Sequence, residues 1–105
     1  MLMSGFVRET KKAAGISADS DLAKLLGATR QAVNLWSNDL RLPDATHAGL
    51  MAAMQGREPL AGVAAVELER HRDNPIAVRF WQAELRKVRE FIFRCLDTCA
   101  QKSQA

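Results

Sequence analysis

The stretch DSDLAKLLGATRQAVNLWSND, residues 19–39, decides how this chain folds. It holds two short amphipathic segments, Leu22 to Leu26 and Arg30 to Asn38, separated by Gly27-Ala28-Thr29, which is the sequence form of a helix-turn-helix. Ala23 stands where the first helix must approach the second, so a small side chain is wanted there. Gly27 can adopt the left-handed conformation that ends a helix, where a Cβ would be strained. Thr29 can cap the next helix, its hydroxyl accepting from a free N–H two or three residues on. Leu22, Leu26, Val33 and Trp36 then form the inward apolar set that locks the two helices together.

Outside this stretch, length and composition narrow the field. A chain of 105 residues is one domain, or one small domain with an appendage. Its 48% hydrophobic and 26% charged content is that of a globular protein, which argues against disorder and membrane insertion. No apolar run approaches the ~20 residues of a membrane span, and the N terminus lacks the layout of a signal peptide, so a cytoplasmic location is expected. Cys95 and Cys99 lie four apart, on one face of a helix, and far in sequence from His47 and His71. They read as small buried apolar residues, with neither a metal nor a cofactor expected. There is no Gly-rich phosphate loop and no paired-His motif, and the chain has no tyrosine, so no enzymatic activity is expected. The net charge of +3 is a mild basic excess, which permits nucleic-acid binding only through a few well-placed side chains.

Every segment reads as helical. Gly5 to Ala14 forms a first helix, with Phe6, Val7, Thr10, Ala13 and Ala14 available inward and Gly15 as its stop. Ser17 or Asp19 caps the second helix. After the helix pair comes a loop with Pro43, then a fourth helix from Asp44 as cap to Met54, with Leu50, Met51 and Met54 on one side and Gly56 as stop. Pro59 opens a fifth helix reaching about Arg72, and Asn74-Pro75 opens the last and longest. In that last helix Val78, Trp81, Leu85, Val88, Ile92, Cys95 and Cys99 are spaced 3, 4, 3, 4, 3 and 4, a heptad seam that must be buried against something. The seam could lie on its own domain as a lid; its aromatic and aliphatic content favours the same helix of a second subunit. The expected organisation is a domain over residues 1–58 and a helical extension over residues 59–105 that serves as dimerisation element.

Residues 16–60 resemble the Cro/repressor-type, or lambda-repressor-like, helix-turn-helix family. The likeness rests on Leu22-Ala23, Leu26-Gly27-Ala28-Thr29-Arg30-Gln31-Ala32-Val33 and Trp36, followed by Pro43 and the helix with Leu50 and Met54. The whole chain is also similar to small phage-related proteins of unassigned function, through Asn74-Pro75 and Phe80-Trp81. The first resemblance implies an all-α fold of five short helices that presents the third to the DNA major groove, here followed by the long amphipathic helix. It makes Arg30 to Asn38 the recognition helix, with Arg30, Gln31, Asn34 and Leu35 toward the bases and Thr29, Asn38 and Arg41 toward phosphates. Their chemistry suits those roles, since Arg pairs with guanine, Gln with adenine, and Leu touches a thymine methyl. Two features depart from the family: Asp39 stands where glycine is usual, and Asp19 and Asp21 open the helix whose N terminus commonly holds a phosphate. The function this implies is a sequence-specific regulator of a phage or mobile element, a repressor binding double-stranded DNA as a homodimer. The alternative is a phage-encoded interaction module, an inhibitor or antirepressor, that binds a host protein through the last helix.

Overall fold

The computed structural model describes residues 3–88, and among them the chain is helical with no strand. Helices α1 (Met3–Ala14), α2 (Asp19–Leu26), α3 (Arg30–Ser37), α4 (Ala45–Met54) and α5 (Pro59–Arg70) follow in order. A sixth, α6, occupies residues 75–88 of the described part. The seam positions Ile92, Cys95 and Cys99 lie outside the described residues.

The first four helices stop in the same way. In each, one left-handed residue donates its N–H three residues back and the next residue donates five back, so two terminal carbonyls are satisfied at once. Gly15 and Ile16 do this for α1, bonding to Lys12 at 3.3 Å and Lys11 at 3.0 Å. Gly27 and Ala28 serve α2, Asp39 and Leu40 serve α3, and Gly56 and Arg57 serve α4. Glycine fills three of these sites, at φ of 71°, 66° and 75°; Asp39 is the exception, at φ 58°.

Helix starts are set by side chains. Thr29 Oγ1 accepts from the Ala32 N–H at 3.1 Å, and Asp44 Oδ1 accepts from the His47 N–H at 2.8 Å. Asn74 Oδ1 accepts from Ile76 and Ala77 at 3.1 and 3.3 Å, with Pro75 in the first turn of α6. The second helix differs from the sequence expectation. Its cap position is Ala18, which offers no oxygen, and Asp19 lies inside the first turn with its carboxylate drawn to α1 instead.

The core joins α1 to α5. Phe6, Val7, Leu22, Leu26, Val33, Trp36, Met51 and Val66 are all buried together. Removing such side chains from water contributes roughly 1.5–3 kcal/mol each, which is why these short helices hold despite their modest intrinsic stability. Because Val66 belongs to this core, the division expected after residue 58 falls between two helices in intimate contact. Thr10 is fully buried, its hydroxyl donating to the Phe6 carbonyl at 2.9 Å and accepting from Gln55 Nε2 at 2.9 Å, so α1 and the end of α4 are latched by a satisfied polar pair. Ala13 is exposed rather than inward. In α4 the buried face is Ala48, Gly49, Met51 and Ala52, and Leu50, expected inward, is 43% exposed. It is the face with Ala48 and Ala52 that meets α5, which comes closest to α4 at Gly62.

Gly62 marks that crossing: a Cβ there would meet the Ala52 Cβ at 2.5 Å and the Ala48 carbonyl oxygen at 2.8 Å. Gly49, on the facing helix, has only ordinary contacts at 3.6 Å and beyond. The two glycines should therefore respond differently to alanine. Gly62→Ala must push the helices apart and should cost about 1–3 kcal/mol, whereas Gly49→Ala should be neutral or mildly stabilising. Thermal or urea unfolding of the two variants measures the difference; equal stabilities would mean the crossing is looser than described.

Candidate nucleic-acid interface

The outward face of α3 is built by what its inward face requires. Val33 and Trp36 are buried, one helical turn apart, and this fixes the rotation of α3 about its axis. Thr29, Arg30, Gln31, Asn34 and Asn38 are consequently exposed, as is Arg41 in the following loop, while Leu35 is half-buried. Arg30, Gln31 and Arg41 make no side-chain hydrogen bond or ion pair among the described residues, so their donors face solvent. The sequence-expected reading set is thus brought together on one surface.

Two of its members are tied within the chain. Asn34 Nδ2 donates to Asp19 Oδ2 at 3.4 Å, and Asn34 Oδ1 accepts from Asn38 Nδ2 at 3.4 Å. Asn38 Nδ2 also donates to the Asn34 carbonyl at 2.8 Å. An amide has two N–H donors and two acceptor lone pairs, so Asn34 retains one of each for an outside partner. The carboxylate of Asp19, an acceptor only, decides which way the amide faces.

Asp19 is the hub of this side of the molecule. Lys11 Nζ of α1 donates to its Oδ1, and the Ser37 hydroxyl of α3 reaches the same oxygen at 3.4 Å. The Lys11 ammonium, seconded by Asn34 and Ser37, holds the Asp19 carboxyl below the usual aspartate range against the opposing effect of partial burial. The charge that would repel a phosphate at the start of α2 is therefore matched inside the chain. Asp21 is exposed.

Asp39, the other departure from the family pattern, has a comparable role. Its Oδ1 accepts the Ser4 N–H at 2.8 Å, so the residue that ends α3 also caps the first turn of α1. Those backbone N–H groups lower its pKa, as a helix N terminus does for any nearby carboxylate. Nothing in the spacing of Ser4 and Asp39, thirty-five residues apart, announces this bond; the only local sign was an Asp in a glycine position.

A groove of about 590 Å³ lies along the turn before α3, with Thr29 and Ala32 on one side and Arg41, Asp44 and Arg70 on the other. The Trp36 and His47 rings meet there at 5.5 Å, and His47 Nδ1 lies 2.8 Å from Asp44 Oδ1. Arg70 closes the far end, donating to the Pro43 carbonyl and to Glu67 at 3.1 Å. The hydrogen bond from the His47 N–H keeps Asp44 below the usual carboxylate range. His71 lies 3.3 Å from Glu67 on the surface of α5. Among the described residues, no three of His, Cys, Asp and Glu come together to hold a metal ion, and no helix is long and apolar enough to cross a membrane.

The described part of the heptad seam is neither open nor fully buried. Val78, Trp81, Leu85 and Val88 are all half-buried, and the Trp81 indole packs edge-on against Phe80 at 5.1 Å. Glu84, Lys87 and Val88 border Glu58 and Leu60, so α6 runs back antiparallel to α5 and reaches its first turn. The opposite arc of α6 leaves Ile76 81% and Phe80 55% exposed.

No family model matches the chain, and neither a curated protein nor a solved structure matches it at a significant level.

The three perturbed aspartates set an acid limit on stability. A lowered folded-state pKa adds stability that is complete above the unfolded value of about 3.9 and is lost as pH falls through the lowered folded values. The melting temperature should therefore drop steeply below about pH 4 through Asp19, Asp39 and Asp44, and Asp39→Ala should show a shallower drop. At neutral pH Asp39→Ala should melt below Asp39→Gly, because alanine keeps the left-handed strain and loses the cap, whereas glycine removes the strain. Calorimetry across the pH range checks both, and equal melting of the two variants would mean that the strain is absent.

Proposed function

We propose that this chain is a sequence-specific DNA-binding regulator, a repressor of a phage or mobile element, that inserts α3 into the major groove and acts as a homodimer. The observation that carries the reading is the free, outward set on α3: Arg30 and Gln31 are adjacent, exposed and without an intramolecular partner, next to a first turn already capped by Thr29. A major groove about 12 Å wide admits such a helix, and residues at its N-terminal end reach base edges. In this reading Arg30 pairs with guanine, Gln31 and Asn34 with adenine, and Leu35 touches a thymine methyl, while Thr29, Asn38 and Arg41 hold phosphates. The ion pair of Asp19 with Lys11 favours it, since that carboxylate is offset by a cation of the same chain.

Dimerisation belongs to the same proposal. The described seam positions Val78, Trp81, Leu85 and Val88 are only half-buried, so part of each remains open to a further partner. A second copy supplies what they need. A different reading, an interaction module for a host protein, draws support from Ile76 and Phe80, large apolar side chains on the outward arc of α6.

Gel-shift titration against the DNA flanking its own gene, at two salt concentrations, tests the DNA reading. A shifted band at micromolar protein is expected; its absence at low salt would sink the reading. Arg30→Ala and Gln31→Ala should each lose roughly 1–3 kcal/mol of discrimination while leaving the fold intact. The interaction-module reading instead expects the double variant to retain its protein partner. Sedimentation of the full chain should give about twice the 11.6 kDa monomer mass, and Ile92→Glu should return it to monomer; a wild-type monomer at tens of micromolar would refute dimerisation.

A further inference from the structure

An open groove of about 520 Å³ runs between α1, the α1–α2 connection and the end of α3, and its chemistry is one-sided. Its charged residues are Arg8, Lys11 and Lys12, its polar ones Ser4, Ser17 and Ser37, and no carboxylate lines it. Lys11 is already held by Asp19, which also draws on the Ser37 hydroxyl. Arg8 and Lys12 are different. They stand four residues apart on one face of α1, exposed, and neither makes an ion pair or side-chain hydrogen bond among the described residues. Two free cations beside serine hydroxyls suit a ligand that is anionic and rich in acceptor oxygens, which is the chemistry of a phosphate group.

Position says which phosphate. Ser37 is the last residue of α3, so the groove adjoins the helix that carries Arg30 and Gln31. Arg41, just past the C terminus of α3, lines the groove on the other flank of that helix, the flank of Thr29, Ala32 and Trp36. A helix seated in the major groove meets a phosphate ridge on either side. On the DNA-binding reading, on which this step rests, Arg41 serves one ridge, and the other ridge needs a cationic partner of its own. We infer that Arg8 and Lys12, with the hydroxyl of Ser17, form a second phosphate-binding site that clamps the DNA backbone on the α1 side. The net charge of only +3 gives such placed cations most of the electrostatic work.

The salt dependence of binding by the full-length chain tests this. Each lost phosphate contact makes the slope of log K against log salt shallower by about 0.9, so Arg8→Gln with Lys12→Gln should flatten it by about 1.8 for each bound subunit, about 3.6 for a dimer, while leaving the preference among sequences unchanged. Arg57→Gln with Arg79→Gln removes the same charge elsewhere and should leave the slope as in wild type. An unchanged slope in the first pair, or an equal fall in the control pair, overturns the site while leaving the DNA reading intact. If the wild type binds no duplex at all, the DNA reading fails and the backbone clamp fails with it. Titration of the free chain with inorganic phosphate, followed by amide chemical shifts, then decides the shared chemistry. Shifts at Arg8, Lys12 and Ser17 that vanish in the double variant retain a phosphate site fed by a free ligand, and no shifts overturn it.

Discussion

The bond from the Ser4 N–H to the Asp39 carboxylate is the constraint on which the arrangement around α3 depends. One residue performs two tasks that a glycine could not combine. Its left-handed backbone turns the chain out of α3, and its carboxylate receives the first turn of α1. The first turn of α1 is thereby tied to the end of α3, and Lys11 of the same helix reaches Asp19. Opposing effects meet at Asp39. A side chain in the left-handed region is strained, and the strain is tolerated because the same side chain satisfies N–H groups that would otherwise lack a partner.

Much of the remaining polar structure follows from disposing of negative charge. Asp19 is matched by Lys11, Asp39 by the α1 N terminus, Asp44 by the start of α4 and Glu67 by Arg70. The cations Arg8, Lys12, Arg30 and Arg41 have no such obligation. In a chain with twelve acidic and fifteen basic residues, where the unpaired cations stand matters more than the balance. Placement decides this, since exposed charges more than about 8–10 Å apart are screened from one another at physiological salt.

What the sequence revealed was local. Gly15, Gly27 and Gly56 marked helix ends because left-handed backbone favours glycine, and Thr29, Asp44 and Asn74 marked starts because their side chains reach N–H groups two or three residues on. Leu22, Leu26, Val33 and Trp36 could be read as core from their spacing alone. The errors came where the answer depended on a distant segment. Leu50 looked inward by spacing, yet the close approach of α5 through Gly62 gives that face of α4 to alanine and glycine. Asp19 looked like a cap and is instead a link between three helices, because Lys11, Asn34 and Ser37 converge on it only after folding. The exposed set on α3 was legible, since it is the complement of the core positions. Which of its members are free and which are tied depended on α1 and α2.

The last helix shows why a periodic seam does not by itself name its partner. Heptad spacing states that one face must be covered, and in the described part Val78, Trp81, Leu85 and Val88 are half-buried. A helix wholly committed to its own domain would bury such residues fully, and one wholly committed to a second subunit would leave them open. Intermediate burial is neither, so the spacing states that a face is apolar and not what covers it. The outward arc, with Ile76 and Phe80 exposed, adds apolar surface in the same helix.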